Sequence, residues 1–200
     1  PIKVEEMRAR GLYTRGKDPL ASTEFTYTRF LTPALAGFSG WALFCDCDFL
    51  WLGDIAELAA YTRAPKAVYC VQHDYRPKET TKMDGAVQTV YPRKNWSARM
   101  LGNCDHPAVR QLTPEVVNSA SGAYLHRLQW VDDADIGDLP TEWNWLEGWN
   151  EKPAQGTPKV VHYTRGGPWF ADWQDVDYGD LWRAERDAVL AEQETDAAQP

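Results

Sequence analysis

Apolar residues along this chain gather in short unbroken runs rather than in long amphipathic stretches. Trp41-Ala42-Leu43-Phe44-Cys45 and Ala67-Val68-Tyr69-Cys70-Val71 are continuous and of strand length, the pattern of strands covered on both faces. Between them, residues 54–61 are alanine-rich and predict a helix. The order strand, helix, strand favours a parallel sheet with helices on its faces. Upstream, Ser22 and Thr23 offer N-caps for a helix over 24–31, which Pro33 is expected to disturb. Further strands are expected over 98–101, 122–126 and 159–163. Residues 132–138 read as an acidic turn, 153–158 as a Pro- and Gly-marked surface loop, and 73–85 as a long polar loop of the kind that binds ligands. A final helix capped by Asp177 is expected to run to about residue 191. Pro1-Ile2-Lys3-Val4 reads as the end of a strand. The expectation is therefore one domain over 1–194 that lacks its N-terminal portion, with 195–200 a disordered tail.

Composition narrows the function. The net charge of −8 comes from 21 basic against 29 acidic residues, and no basic stripe runs along the chain, which argues against nucleic acid as a partner. No apolar run reaches the roughly 18 to 20 residues that span a bilayer, and no export signal opens the chain, so a soluble cytoplasmic protein is the expected setting. Cys45, Cys47, Cys70 and Cys104 lie in or beside strand-like runs, where a thiol acts as a small buried hydrophobe and not as part of a disulfide framework. Ten tryptophans offer faces for sugar rings, although most tryptophans serve as core.

The candidate chemistry sits at strand ends. Asp46 and Asp48, two residues apart where the first apolar run stops, project the same way. Hard oxygen ligands of this kind suit magnesium or manganese, which in turn suit phosphate oxygens; acids at this spacing also occur in plain turns. His162 ends Val160-Val161-His162 and is a competent third ligand or a structural histidine. Arg165-Gly166-Gly167-Pro168-Trp169 follows it, with glycines that let backbone approach a phosphate. Arg29, inside an apolar helix, must find an anion, either a carboxylate of the fold or a substrate. Asp132, Asp133 and Asp135 crowd one turn, as a functional trio or as a solvated loop.

Four blocks in order give these residues a context: Phe25-Thr26-Tyr27-Thr28-Arg29-Phe30-Leu31, Leu43 through Ile55 with Asp46-Cys47-Asp48 at its centre, Leu139-Pro140-Thr141-Glu142-Trp143-Asn144-Trp145, and Val161-His162-Tyr163-Thr164-Arg165-Gly166-Gly167-Pro168-Trp169. Together they resemble the retaining GT-A glycosyltransferases of family 8, the glycogenin and bacterial galactosyltransferase relatives. The resemblance implies an α/β, Rossmann-like GT-A fold with a mixed, mainly parallel sheet flanked by helices. It implies that Asp46, Asp48 and His162 bind manganese or magnesium, and that Arg29, Asp46, Asn144, Trp145, Arg165 and Gly166 line the donor site. The implied reaction moves a hexose from a nucleoside diphosphate sugar, such as a UDP-hexose, to a carbohydrate or other hydroxyl acceptor with the anomeric configuration retained.

This sequence departs from the family pattern in one motif. The closing block is one residue shorter, and Gly167 stands where the family carries a phosphate-gripping lysine, leaving Arg165 as the candidate replacement. The acid-rich turn occupies the family's position for residues beside the reacting carbon, which makes Asp133 the candidate catalytic carboxylate, on the analogy of carboxylates in glycoside hydrolysis. The loop from His73 through Lys82-Met83-Asp84 to Tyr91-Pro92-Arg93-Lys94-Asn95-Trp96 matches no motif and is expected to shape the acceptor side. Two other readings stand beside the transferase: a nucleotidyltransferase on a related fold, which would release pyrophosphate, and a non-catalytic carbohydrate-binding domain.

Overall fold

The computed structural model describes residues 2–16, 18, 23, 25–74 and 92–197. The Ser22 cap, most of the 73–85 loop, the Lys82-Met83-Asp84 segment and Tyr91 lie outside the described residues. Seven strands are present among those described: β1 (Trp41–Cys45), β2 (Phe49–Trp51), β3 (Val68–Cys70), β4 (Arg99–Asn103), β5 (Ile136–Asp138), β6 (Trp145–Leu146) and β7 (Val160–His162). They form two sheets, β1-β4-β3-β5 and β2-β7-β6. The described residues divide into two compact units, one built from 2–46, 55–74 and 92–141, the other from 47–54 and 142–197.

The first unit bears out the mixed α/β class. β4 pairs antiparallel with both β1 and β3, while β3 and β5 are parallel. β1, β3 and β5 therefore run the same way, with β4 inserted against them. The strand, helix, strand order gave the shared direction of β1 and β3; what it does not reveal is that a later strand separates them. Phe30, Leu31, Val68, Cys70, Met100, Val109, Leu125, Leu128, Trp130 and Ile136 supply the core.

Several local readings are refined or corrected. Residues 122–126 form the helix Gly122–His126 and not a strand, because Ser121 accepts a hydrogen bond from the Tyr124 N–H and caps it. The helix expected over 24–31 is α-helical over Phe25–Thr28 and 3-10 over Arg29–Leu31, as expected of a helix disturbed ahead of Pro33, which then enters the first turn of a new helix, Thr32–Leu35, where its missing N–H costs nothing. The N-terminus is helical over Val4–Ala9, with Met7 buried, and is not a strand end. Cys47 is exposed rather than buried, although the four cysteines form no disulfide among the described residues. The helix expected at 54–61 is a 3-10 helix, Ile55–Arg63, and the final helix spans Gly179–Ala197, taking in three residues of the expected tail.

In the second unit β2 pairs antiparallel with β7, and β6 lies parallel on β7's other side. Leu50, Trp145, Val161 and Tyr163 form its small core, packed against Val176, Tyr178 and Trp182. β2 went unread in the sequence because three residues directly after an acidic turn carry no periodicity. No helix among the described residues is long and apolar enough to cross a membrane.

Candidate active site

β1 delivers Asp46 to the carboxyl edge of its sheet, where the Asp46 N–H bonds the carbonyl of Ala98 at 2.9 Å. The anion that Arg29 requires is this carboxylate. Arg29 Nη2 stands 2.8 Å from Asp46 Oδ1 and Nη1 stands 3.2 Å from Oδ2, a two-pronged contact that fixes the carboxylate's rotation. The arginine is itself held by the carbonyls of Phe25 at 3.1 Å and Ser97 at 2.9 Å, and its guanidinium lies over the Phe44 ring.

The register of the second sheet explains why Asp48 and His162 meet. β2 begins where the antiparallel β7 ends, with Phe49 opposite His162. The Asp48 carbonyl accepts from the Tyr163 N–H at 3.0 Å, and the Phe49 and His162 rings stack at 4.2 Å. His162 Nε2 is then 3.4 Å from Asp48 Oδ1. On the ring's other side Nδ1 lies 2.8 Å from Asn144 Oδ1. With Nδ1–H donating to that carbonyl oxygen, Nε2 turns its lone pair toward a carboxylate, an arrangement that a cation or a proton between them stabilises. One ligand atom from each of Asp46, Asp48 and His162 lies within 4.8 Å of the others, a grouping that could hold a metal ion.

The remaining sequence candidates take other positions. Asn144 has no exposed surface and Trp145 is nearly as buried; the first orients the imidazole, while the second packs in the core and donates its indole N–H to the Glu151 carbonyl. Gly166 is buried, at φ 146°. Arg165 Nη2 stands 3.1 Å from the buried Glu147 carboxylate, and its guanidinium faces the Trp173 ring. Gly148 makes this reach possible: at φ 67°, a Cβ there would lie 1.6 Å from Arg165 Nη2.

Gly167 is equally constrained. A Cβ would lie 2.1 Å from the Trp169 ring, which folds back over the glycine and meets Tyr163 and Trp182. No longer side chain fits at 167 while Trp169 holds this place.

Asp133 is not brought to the edge that carries Asp46. It sits in the turn Asp133–Asp135 at the amino end of β5, opposite the carboxyl edge of β1. Its side chain is 81% exposed and bonded to Arg93.

Sequence reasoning also missed Ser97 and His126, whose side chains meet at 2.8 Å behind Arg29. Burial, and then the neighbouring Arg29, lower the His126 pKa to about 4. Burial likewise pushes the Cys70 thiol up to about 12, with Asp138 adding to it, so Cys70 is a packing residue and not a nucleophile. A small apolar cavity of about 30 Å³ under Arg29, lined by Phe44, Val68, Met100 and Trp130 among others, belongs to the core; it is far below the 300 Å³ or so at which ligand pockets begin.

Comparison with known proteins adds a relative and a fold. No protein-family profile matches the chain. Protein CDI of Arabidopsis thaliana is 54% identical over 200 residues, covering 98% of this chain and 77% of the relative. The apo structure of the bifunctional glycosyltransferase WbbM superposes with a TM-score of 0.56 at 18% identity, over 84% of this chain and 35% of that one. At that identity the likeness is one of fold, and this chain spans about a third of the structural neighbour.

Proposed function

Since the chain belongs to the family of Arabidopsis Protein CDI and has the fold of a glycosyltransferase, we propose that it transfers a hexose from a nucleoside diphosphate sugar to a hydroxyl acceptor. In this reading Asp46, Asp48 and His162 hold a manganese or magnesium ion. The observation that carries it is the mutual proximity, within 4.8 Å, of one ligand atom from each of the three. The donor set fits the ion: two carboxylates and an imidazole are ligands that manganese accepts readily and magnesium tolerates. Bound there, the ion would neutralise charge developing on the leaving diphosphate.

The chain's own residues do the rest. Arg29 fixes the Asp46 carboxylate so that it need not reorganise when the ion and donor enter. Asn144 holds the His162 ring so that Nε2 faces Asp48. Position 167 supplies no cation, so the phosphates depend on the ion and on the backbone of the loop after His162. Retention of anomeric configuration follows from the resemblance to family 8. UDP-hexoses are the donors to try first.

The test is incubation of the full chain with UDP-glucose and UDP-galactose, with manganese or with EDTA. Manganese-dependent release of UDP, lost in Asp48→Asn, is expected. Release of pyrophosphate would favour the nucleotidyltransferase reading. Sugar binding that manganese does not affect, with no release, would favour a carbohydrate-binding domain.

A further inference from the structure

Behind Arg29 lies a ring of contacts that neither sheet hydrogen bonding nor the donor site explains. Arg29 Nη1 donates to the Ser97 carbonyl at 2.9 Å. The hydroxyl of the same Ser97 is 2.8 Å from His126 Nδ1. The His126 ring meets Phe30, the residue after Arg29, edge to face with centroids 5.1 Å apart. Arg29, Ser97, His126 and Phe30 thus close on themselves. Ser97 sits in the single 3-10 turn Trp96–Ala98 that leads into β4, entered from Asn95 in the left-handed region at φ 67°. Such a short turn has little rigidity of its own, so the His126 contact fixes where the Ser97 carbonyl points. Burial and the adjacent guanidinium keep His126 neutral at physiological pH, which suits a hydrogen-bonding role and not a charged one.

We propose that Ser97 and His126 are positioning residues that hold Arg29, and through it the Asp46 carboxylate, in the orientation that binds the divalent ion. The inference rests on the reading of Asp46 as a ligand. It differs from a packing role in one measurable respect: it ties two side chains that touch neither the ion nor its ligands to ion affinity.

The experiment is a titration of the purified full chain with Mn²⁺ alone, following the electron paramagnetic resonance signal of the free ion, alongside thermal unfolding in EDTA. Ser97→Ala and His126→Leu are expected to weaken Mn²⁺ binding about 3- to 10-fold, less than the 10- to 100-fold typical of direct outer-shell partners. His126→Asn, whose amide can stand in for the Nδ1 edge, is expected to restore affinity to within about twofold of the parent. Ser97→Ala removes one oxygen from a small side chain and decides the matter if His126→Leu does not fold. A parent chain that binds Mn²⁺ while Ser97→Ala binds it equally well would overturn this inference and leave the metal reading intact. A parent chain that binds no Mn²⁺ would overturn both.

Discussion

Asn144 stands 2.8 Å from His162 Nδ1 with its own surface wholly covered. A motif residue that the sequence assigned to the donor site thus contacts the histidine. Asn144→Ala removes the partner that orients the ring. Mn²⁺ affinity should fall about 10- to 100-fold, read by titration calorimetry. Unchanged affinity would show that the imidazole needs no such support.

Arg29 and Asp46 form a largely buried pair, with side chains 8% and 15% exposed. Removing one partner from a buried pair leaves a charge without compensation, at a cost of about 3 to 5 kcal/mol. Arg29→Leu and Asp46→Leu should each destabilise by that order in urea unfolding, and the double variant by clearly less than their sum. Additive losses would mean the pair is not coupled.

His126 gives the protein a pH signature. Its folded pKa, lowered to about 4 by burial and then by Arg29, lies below the ordinary value of about 6.5. As pH falls through 6.5 the unfolded chain takes up a proton that the folded one refuses until about pH 4. Stability is therefore lost on acidification across this window, by about 3 kcal/mol at its foot, and the term is absent above it. Urea unfolding at pH 7, 5.5 and 4 should show that His126→Asn loses less stability than the parent across the window. Parallel curves would contradict the assignment.

Gly167→Ala places a methyl 2.1 Å from the Trp169 ring. Overpacking of this kind costs about 1 to 3 kcal/mol, and the displaced indole should shift the tryptophan fluorescence. A variant with parental stability and spectrum would show that the loop yields freely.

What the sequence made legible was confined to signals written in neighbouring residues. β1, β3 and β7 were readable because each is a solid apolar run, and Asp46, Asp48 and His162 because acids and a histidine break such runs at their ends. The helix Gly122–His126 was misread because Ala123-Tyr124-Leu125 is too short to show a period, and the cap at Ser121 was the only local evidence. Asp133 was singled out by the family's position for residues beside the reacting carbon, while the edge of the sheet it occupies is set by the β3 and β5 register. The pairs Arg165 with Glu147 and Ser97 with His126 join residues 18 and 29 positions apart, where no local pattern announces a partner.

The way Trp169 lies across Gly167 also sets the routes open to descent. A lysine arriving at 167 by a single substitution would evict the indole from its seat against Tyr163 and Trp182 and unmake the turn it was meant to arm. A charge at 167 therefore requires the tryptophan two residues on to take another seat. Relatives that carry a basic residue there beside the same Pro-Trp pair should be found to hold that indole off the loop, in a different seat from the one Trp169 takes here.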